Sequence, residues 1–228
     1  EETEAQLFAL TENKKFESNK LIAFSESVKL AMTSANLAHE NKGSLSGISS
    51  GFIALDDLLG GLHKSDLIIL AGRPSMGKTA LATNIAYNAA SNKNEGKSVA
   101  FFSLEMSAEQ LANRILAEQA SISSDQIRRG KLNKDDFSKL SQVSKEISHN
   151  KLFIDDTPAI NVSTLRTRAR RLKRKLDAEL GLIVVDYLQL MRGSKKYENR
   201  VQEISEITQG LKSVSKELNV PILALSQL

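Results

Sequence analysis

Five short apolar runs, at residues 67–71, 99–104, 152–155, 182–186 and 222–225, recur through the second part of the chain. Between them lie longer stretches with helical periodicity, over 78–91, 107–119, 134–148, 163–178 and 201–218. Runs such as Leu182-Ile183-Val184-Val185 are continuous rather than alternating. That is the pattern of strands buried on both faces. Strand and helix in alternation predict an α/β fold whose sheet is mostly parallel, twisted and flanked by helices. Crossovers are then right-handed, and ligands belong at the carboxyl ends of the strands.

The first part of the chain reads differently. Residues 1–13 suit a short helix, with Thr3 and Gln6 in capping-box spacing and Leu7 and Leu10 on one side. After a polar break at 13–19, Leu21, Phe24, Val28, Ala31, Ala35 and Ala38 step by three and four, a narrow apolar stripe on an amphipathic helix. The stripe suits packing on its own core and docking on a neighbouring subunit equally well. A Gly- and Ser-punctuated loop over 41–51 ends this region. The organisation is therefore a helical linker at 1–45 and an α/β domain at 46–228.

Composition narrows the class. The chain has 228 residues, enough for one sizeable α/β core plus an appendage. It has no cysteine, which excludes disulfides and thiolate metal sites and fits a reducing compartment. No apolar run approaches the length of a membrane span, and the opening Glu1-Glu2-Thr3-Glu4 is unlike a secretory signal. Its net charge of +4 permits nucleic-acid binding without requiring it.

The strongest chemistry follows the first run. Residues 72–79 read Gly-Arg-Pro-Ser-Met-Gly-Lys-Thr, between a strand pattern and a helix pattern. This is a phosphate-binding loop: Gly72 and Gly77 allow close backbone approach, and N–H groups from Ser75, Met76 and Gly77 to Ala80 surround phosphates. Lys78 supplies charge to the β- and γ-phosphates, and Thr79 a hydroxyl for Mg²⁺. Asp186 ends the run Leu182-Ile183-Val184-Val185 as a second Mg²⁺ ligand. Glu105, just past 99–104, either orients water for attack on the γ-phosphate or favours the start of the next helix. Gln227, after the last run, is either a γ-phosphate donor or a polar strand end. These residues predict binding of ATP with Mg²⁺, with Glu105, Lys78 and Gln227 as catalytic candidates.

Ser50-Gly51-Phe52, Leu55-Asp56-Asp57-Leu58 and Gly60-Gly61-Leu62 resemble the opening of a RecA-type ATPase core. With the phosphate loop, Phe102-Ser103-Leu104-Glu105-Met106-Ser107, Asp186-Tyr187-Leu188-Gln189-Leu190-Met191 and Ala224-Leu225-Ser226-Gln227-Leu228, the chain resembles the motor of bacterial replicative DNA helicases of the DnaB family. The resemblance runs from about residue 46 to 228, and residues 1–45 are similar to that family's linker. It implies a RecA-like core, with Glu105 as catalytic glutamate, Asp186 as the Walker B acid, Gln227 as γ-phosphate sensor and Arg114 as a nucleotide contact. It implies a homohexameric ring that moves 5′ to 3′ on single-stranded DNA, with primase and a helicase loader as partners. It also implies a cytoplasmic protein, associated with the nucleoid at replication forks. The family's pattern extends past position 228 into a second DNA-contacting loop and basic residues acting on the neighbour's ATP. A longer chain is therefore expected, and slow hydrolysis by a protein ending here.

Two basic stretches are candidates for DNA contact. Residues 192–200 (Arg-Gly-Ser-Lys-Lys-Tyr-Glu-Asn-Arg) combine cations with an aromatic, which suits a phosphate backbone and base stacking. By resemblance this loop faces the ring's channel, so Arg192, Lys195, Lys196 and Arg200 are the DNA-binding candidates. Residues 166–175 are more basic, but their charges encircle a helix around the seam Leu165, Ala169, Leu172 and Leu176, as on a surface or subunit-interface helix. A RecA/RadA-type recombinase and a non-catalytic, ATP-switched loader-like module are the alternative readings. The motifs around Glu105 and Asp186 weigh against the first, and Glu105 itself against the second.

Overall fold

The runs that alternate along the sequence become alternating layers in space. The computed structural model describes residues 21–40, 45–91, 96–176, 179–195, 197 and 199–228. The chain falls into two units, Glu1–Ser44 and Leu45–Leu228. The described helix of the first unit is α1 (Phe24–Glu40). Phe24, Val28, Ala31 and Ala35 of the apolar stripe are exposed on it, as is Leu21 ahead of it. The short helix expected over 1–13 lies outside the described residues.

In the second unit, α2 (Ile53–Leu59) precedes β1 (Leu67–Gly72), α3 (Lys78–Ser91), β2 (Ser98–Ser103), α4 (Ala108–Gln119), α5 (Ser124–Arg128) and α6 (Lys134–Ile147). Then come β3 (Leu152–Asp155), α7 (Val162–Lys175), β4 (Leu180–Asp186), a 3-10 turn (Leu188–Leu190), α8 (Arg200–Leu218) and β5 (Ile222–Gln227). The strands form one sheet in the order β1-β5-β4-β2-β3, and every pairing is parallel.

Alternating side chains divide the core between the two faces of this sheet. Ala100, Phe102, Ile183, Val185, Ile222 and Ala224 pack with Leu165 and Ala169 of α7 and with Ile207, Leu211 and Val214 of α8. Val99, Phe101, Leu182, Val184, Leu223 and Leu225 face the other way, against Ala82, Ile85, Ala86 and Ala89 of α3. Every residue of β2 and β4 is buried, which explains the continuous apolar runs Val99–Phe102 and Leu182–Val185 within them. A third, smaller cluster around Ala120, Ile122 and Leu140 lies beside α4 and α6.

Helix ends follow local chemistry. Ser107 and Asn133 form capping boxes with Gln110 and Asp136, so the helix expected over 107–119 begins one residue later, at Ala108. The basic helix α7 ends at Lys175 rather than 178. It buries Leu165 and Ala169, with Leu172 and Leu176 packed against the same core. Four of its cations have partners within the fold. Arg168 pairs with Asp155, Arg166 and Arg170 with Glu217, and Lys173 donates to the Leu218 carbonyl.

Three strands are longer than their apolar runs suggest. β4 starts at Leu180, while β1 and β5 extend through Gly72 and Gln227. Gly72 and Gln227 are thus paired strand residues, not the first residues beyond the strands. The two short helices α2 and α5, seven and five residues long, carry too little periodicity to be read from sequence.

The segment before β1 is closed by a backbone-to-backbone contact. Ile48 and Leu62 exchange hydrogen bonds of 2.9 and 2.8 Å, and Gly47 N–H donates to the Gly60 carbonyl at 3.0 Å. Gly61 has φ +87°, and a Cβ there would lie 2.7 Å from the carbonyl carbon of Gly47. We expect Gly61→Ala to destabilise the domain by at least ~2 kcal/mol, from left-handed strain and displaced backbone. Urea denaturation followed by circular dichroism measures this.

Candidate nucleotide site

Strand register assembles the site. Gly72 pairs with Gln227, and Ser103 pairs with Asp186, so the carboxyl ends of β1, β5, β4 and β2 lie along one edge of the sheet. Leu104 N–H donates to the Asp186 carbonyl at 2.7 Å and Leu228 N–H to the Gly72 carbonyl at 3.2 Å, carrying the alignment one residue further.

After β1 the chain turns into the loop and then α3. Ser75 and Gly77 both have positive φ, +62° and +82°. Such turns direct backbone N–H groups into a shared concavity, and the N-terminus of α3 adds its dipole. A Cβ at Gly77 would meet no atom within 4 Å, so the space beside it is open to a ligand. Gly72 differs: a Cβ there would meet only the Lys78 side chain, at 3.5 Å, an ordinary contact. Lys78 Nζ donates to the carbonyls of Gly72 and Arg73 at 2.7 and 2.8 Å, which holds the cation across the mouth of the loop. Ser75 and Met76 are exposed on the loop, and Thr79 and Ala80 lie in the first turn of α3.

Asp186 is the electrostatic centre. Its residue is 2% exposed. Burial pushes its carboxyl above the ordinary aspartate range; the Thr79 hydroxyl opposes the rise, the Glu105 charge adds to it, and Arg114 and Lys78 oppose it. The Thr79 hydroxyl and the charges of Glu105, Arg114 and Lys78 therefore all act on this carboxylate. Its Oδ2 is buried without a hydrogen-bond partner. An orphaned anionic oxygen beside a threonine hydroxyl fits a hard divalent cation. Among the described residues no group of three or more His, Cys, Asp or Glu could hold a metal unaided. Mg²⁺ takes one or two protein oxygens and completes its shell with water and phosphate, so Asp186 and Thr79 would suffice to hold it.

Glu105 is exposed in the turn between β2 and α4. Two bonds fasten that turn: Ser103 Oγ donates to the Met106 carbonyl at 2.7 Å, and Ala108 N–H donates to Asp156 at 2.9 Å. Gln227 is joined to the site through its pairing with Gly72.

Sequence reasoning missed Gln189. It stands in the 3-10 turn just after Asp186, and its side-chain amide grips the end of β5. The sequence marks it only as an amide between Leu188 and Leu190 shortly beyond the strand acid, which does not reveal the pairing.

The basic loop after this turn is held by acidic residues of α8. Gly193 N–H donates to Glu203 at 2.9 Å, and Ser194 N–H and Oγ donate to Glu206 at 3.2 and 2.5 Å. Arg200 pairs with Glu203, while Lys195 lies 5.4 Å from the centre of the Tyr197 ring. The bond with Glu206 pushes the Tyr197 hydroxyl above its ordinary pKa. Arg192 and Lys195 are exposed; Lys196 lies outside the described residues. Among the described residues no helix is long and apolar enough to cross a membrane.

A family model described as the DnaB-like helicase C-terminal domain matches residues 47–228. The replicative DNA helicase DnaB of Rickettsia prowazekii (strain Madrid E) is 52% identical over a 239-residue alignment, covering 100% of this chain and 48% of that protein. The DnaB helicase of Geobacillus stearothermophilus is 49% identical over 193 residues, covering 84% and 42%. The chain thus spans about half the length of the curated relatives it matches. A solved ATPase domain superposes with TM-score 0.81 at 32% identity, over 88% of this chain and 71% of that one. A structure of a DnaB-like replicative helicase and its interactions with primase gives TM-score 0.79 at 31% identity, over 96% and 52%. The parallel sheet flanked by helices is the RecA-like ATPase fold of these proteins.

The raised pKa of Asp186 has a defined sign. Its folded value exceeds the unfolded one, so the associated stability is present at low pH and lost as pH rises through the folded value. Neutralising the group should remove that loss. We expect Asp186→Asn to raise the melting temperature at pH 7 without ligand by ~2–4 °C, about 1 kcal/mol, the advantage shrinking on acidification. If ATP with Mg²⁺ stabilises the protein more than ATP alone, the same substitution should abolish that increment. Differential scanning calorimetry with and without both ligands measures the two effects.

Proposed function

Because this chain belongs to the family of DnaB-like helicase C-terminal domains, we propose that it is the ATP-hydrolysing motor of a replicative DNA helicase. In this reading it moves 5′ to 3′ along single-stranded DNA as part of a homohexameric ring. The observation that carries the reading is the buried, unpartnered oxygen of Asp186 at the end of β4, on which the Thr79 hydroxyl and the charges of Glu105, Arg114 and Lys78 act.

The loop amides and Lys78 hold the β- and γ-phosphates, with Ser75, Met76, Gly77 and Ala80 shaping the cradle. Thr79 and Asp186 would hold Mg²⁺, which would neutralise charge on the phosphates. Glu105 accepts a hydrogen bond from the attacking water and aligns it with the γ-phosphorus. The exposure of Glu105 leaves room for that water, and the fastened turn limits its movement. Arg114 contacts the nucleotide, and Gln227 donates to the γ-phosphate. Arg192, Lys195, Lys196 and Arg200 carry the DNA backbone, with Tyr197 available for base stacking. The domain runs from about residue 46, behind a linker whose apolar stripe docks on a neighbouring subunit. Primase and a helicase loader are the proposed protein partners, and the cytoplasm, at replication forks, is the proposed location.

Glu105→Gln tests the chemistry. The change preserves shape and removes the base, so kcat for DNA-stimulated ATP hydrolysis should fall about 10²- to 10⁴-fold while KM for ATP stays near its starting value. Unwinding of a forked duplex with a free 5′ tail should be lost in parallel. Undiminished hydrolysis, or none stimulated by DNA in the unsubstituted protein, would overturn the reading. For the basic loop, the Arg192→Ala, Lys195→Ala double variant should bind oligonucleotide more weakly at every sequence. Its salt dependence should flatten by ~0.7 in log–log slope per lost phosphate contact, read by fluorescence anisotropy across a salt series.

A further inference from the structure

We propose that Gln189 is a positioning residue that couples the nucleotide-facing end of β5 to the basic loop at 192–199, an inference that rests on the motor reading above. The sheet is incomplete at this end. β4 and β5 pair from Ile183↔Ile222 to Val185↔Ala224, and β4 ends at Asp186. β5 continues through Ser226 and Gln227, still paired with β1 on its other side. Among the described residues, the backbone of Gln227 on the β4 side therefore has no strand to bond.

Gln189 takes that place. Its Nε2 donates to the Gln227 carbonyl at 2.9 Å and to Ser226 Oγ at 3.0 Å, and Gln227 N–H donates to its Oε1 at 3.3 Å. A side-chain amide has the donor and acceptor of a peptide group, so it reproduces the ladder that β4 no longer supplies. The amide is aimed by its neighbours. Leu188 and Met191 are both 2% exposed, and they anchor the 3-10 turn on either side.

The backbone of the same residue faces the loop. Arg200 donates to the Gln189 carbonyl and also to Glu203, and Glu203 accepts from Gly193 N–H at 2.9 Å. One residue thus holds Gln227 with its side chain and the root of the basic loop with its main chain. Displacement of Gln227 toward a γ-phosphate must either stretch the two bonds to its backbone or carry the turn and Arg200 with it. Such a connection joins two sites through elements that move together, and it is reciprocal.

The test is the factor by which a non-hydrolysable ATP analogue with Mg²⁺ changes the Kd for a single-stranded oligonucleotide, measured by anisotropy on the full chain. Coupled sites give factors on the order of 5–150. Gln189→Leu removes the amide. Gln189→Glu keeps its shape and the acceptor for Gln227 N–H but loses both donated bonds. Each variant should bind analogue alone and oligonucleotide alone within about threefold of the unsubstituted protein, while the coupling factor collapses toward one. Unchanged coupling in both variants would overturn the relay and leave the motor reading standing. So would loss of analogue binding in both, since Gln189 would then only support the fold. Absence of coupling in the unsubstituted protein would overturn the motor reading and the relay with it.

Discussion

Parallel pairing in a fixed register is the constraint on which the rest depends. β2 and β4 are buried along their whole length, so neither can slip by one residue without exchanging the side chains of two packed layers. That register sets Asp186 level with Ser103 and Gln227 level with Gly72. The functional groups are consequently placed by hydrophobic packing far from any phosphate. The site inherits the alignment of its strand ends from the core, and contacts such as those of Lys78 and Gln189 add to it.

A cost accompanies this placement. Taking Asp186 out of water raises its pKa, and the nearby Glu105 charge adds to the effect. Lys78, Arg114 and the Thr79 hydroxyl offset part of it. The domain therefore keeps a partly compensated anion in its interior, a destabilising feature that makes sense where a cation is to be held. Stability and ligand affinity are set against one another at a single carboxylate.

Much of this was legible in the sequence. The five strand runs and the intervening helices predicted the sheet because continuous apolar stretches have few other uses in a chain without membrane-length segments. The phosphate loop, Asp186 and Glu105 stood out because each ends or directly follows a run, where a parallel sheet binds ligands. Less visible were features that depend on tertiary pairing. The strand membership of Gly72 and Gln227 follows from β1–β5 hydrogen bonds, which apolar patterning does not report. Gln189 as a surrogate ladder partner depends on where β4 stops relative to β5, and no local signal encodes that. The basic loop reads in sequence as a free tether for phosphates. Its backbone and hydroxyl bonds to Glu203 and Glu206 come from a helix beginning at its far end.

The two bonds from Lys78 to the carbonyls of Gly72 and Arg73 bear on selectivity. In the proposed reading, ligand capture would be an exchange reaction, in which the ammonium leaves two neutral acceptors inside the loop for anionic ones outside it. The driving force is the difference between those acceptors, not the strength of either set. A nucleoside without phosphates offers nothing worth the exchange, whatever its base. On that reading the loop would discriminate by the charge of the ligand's tail and leave recognition of the base to other residues.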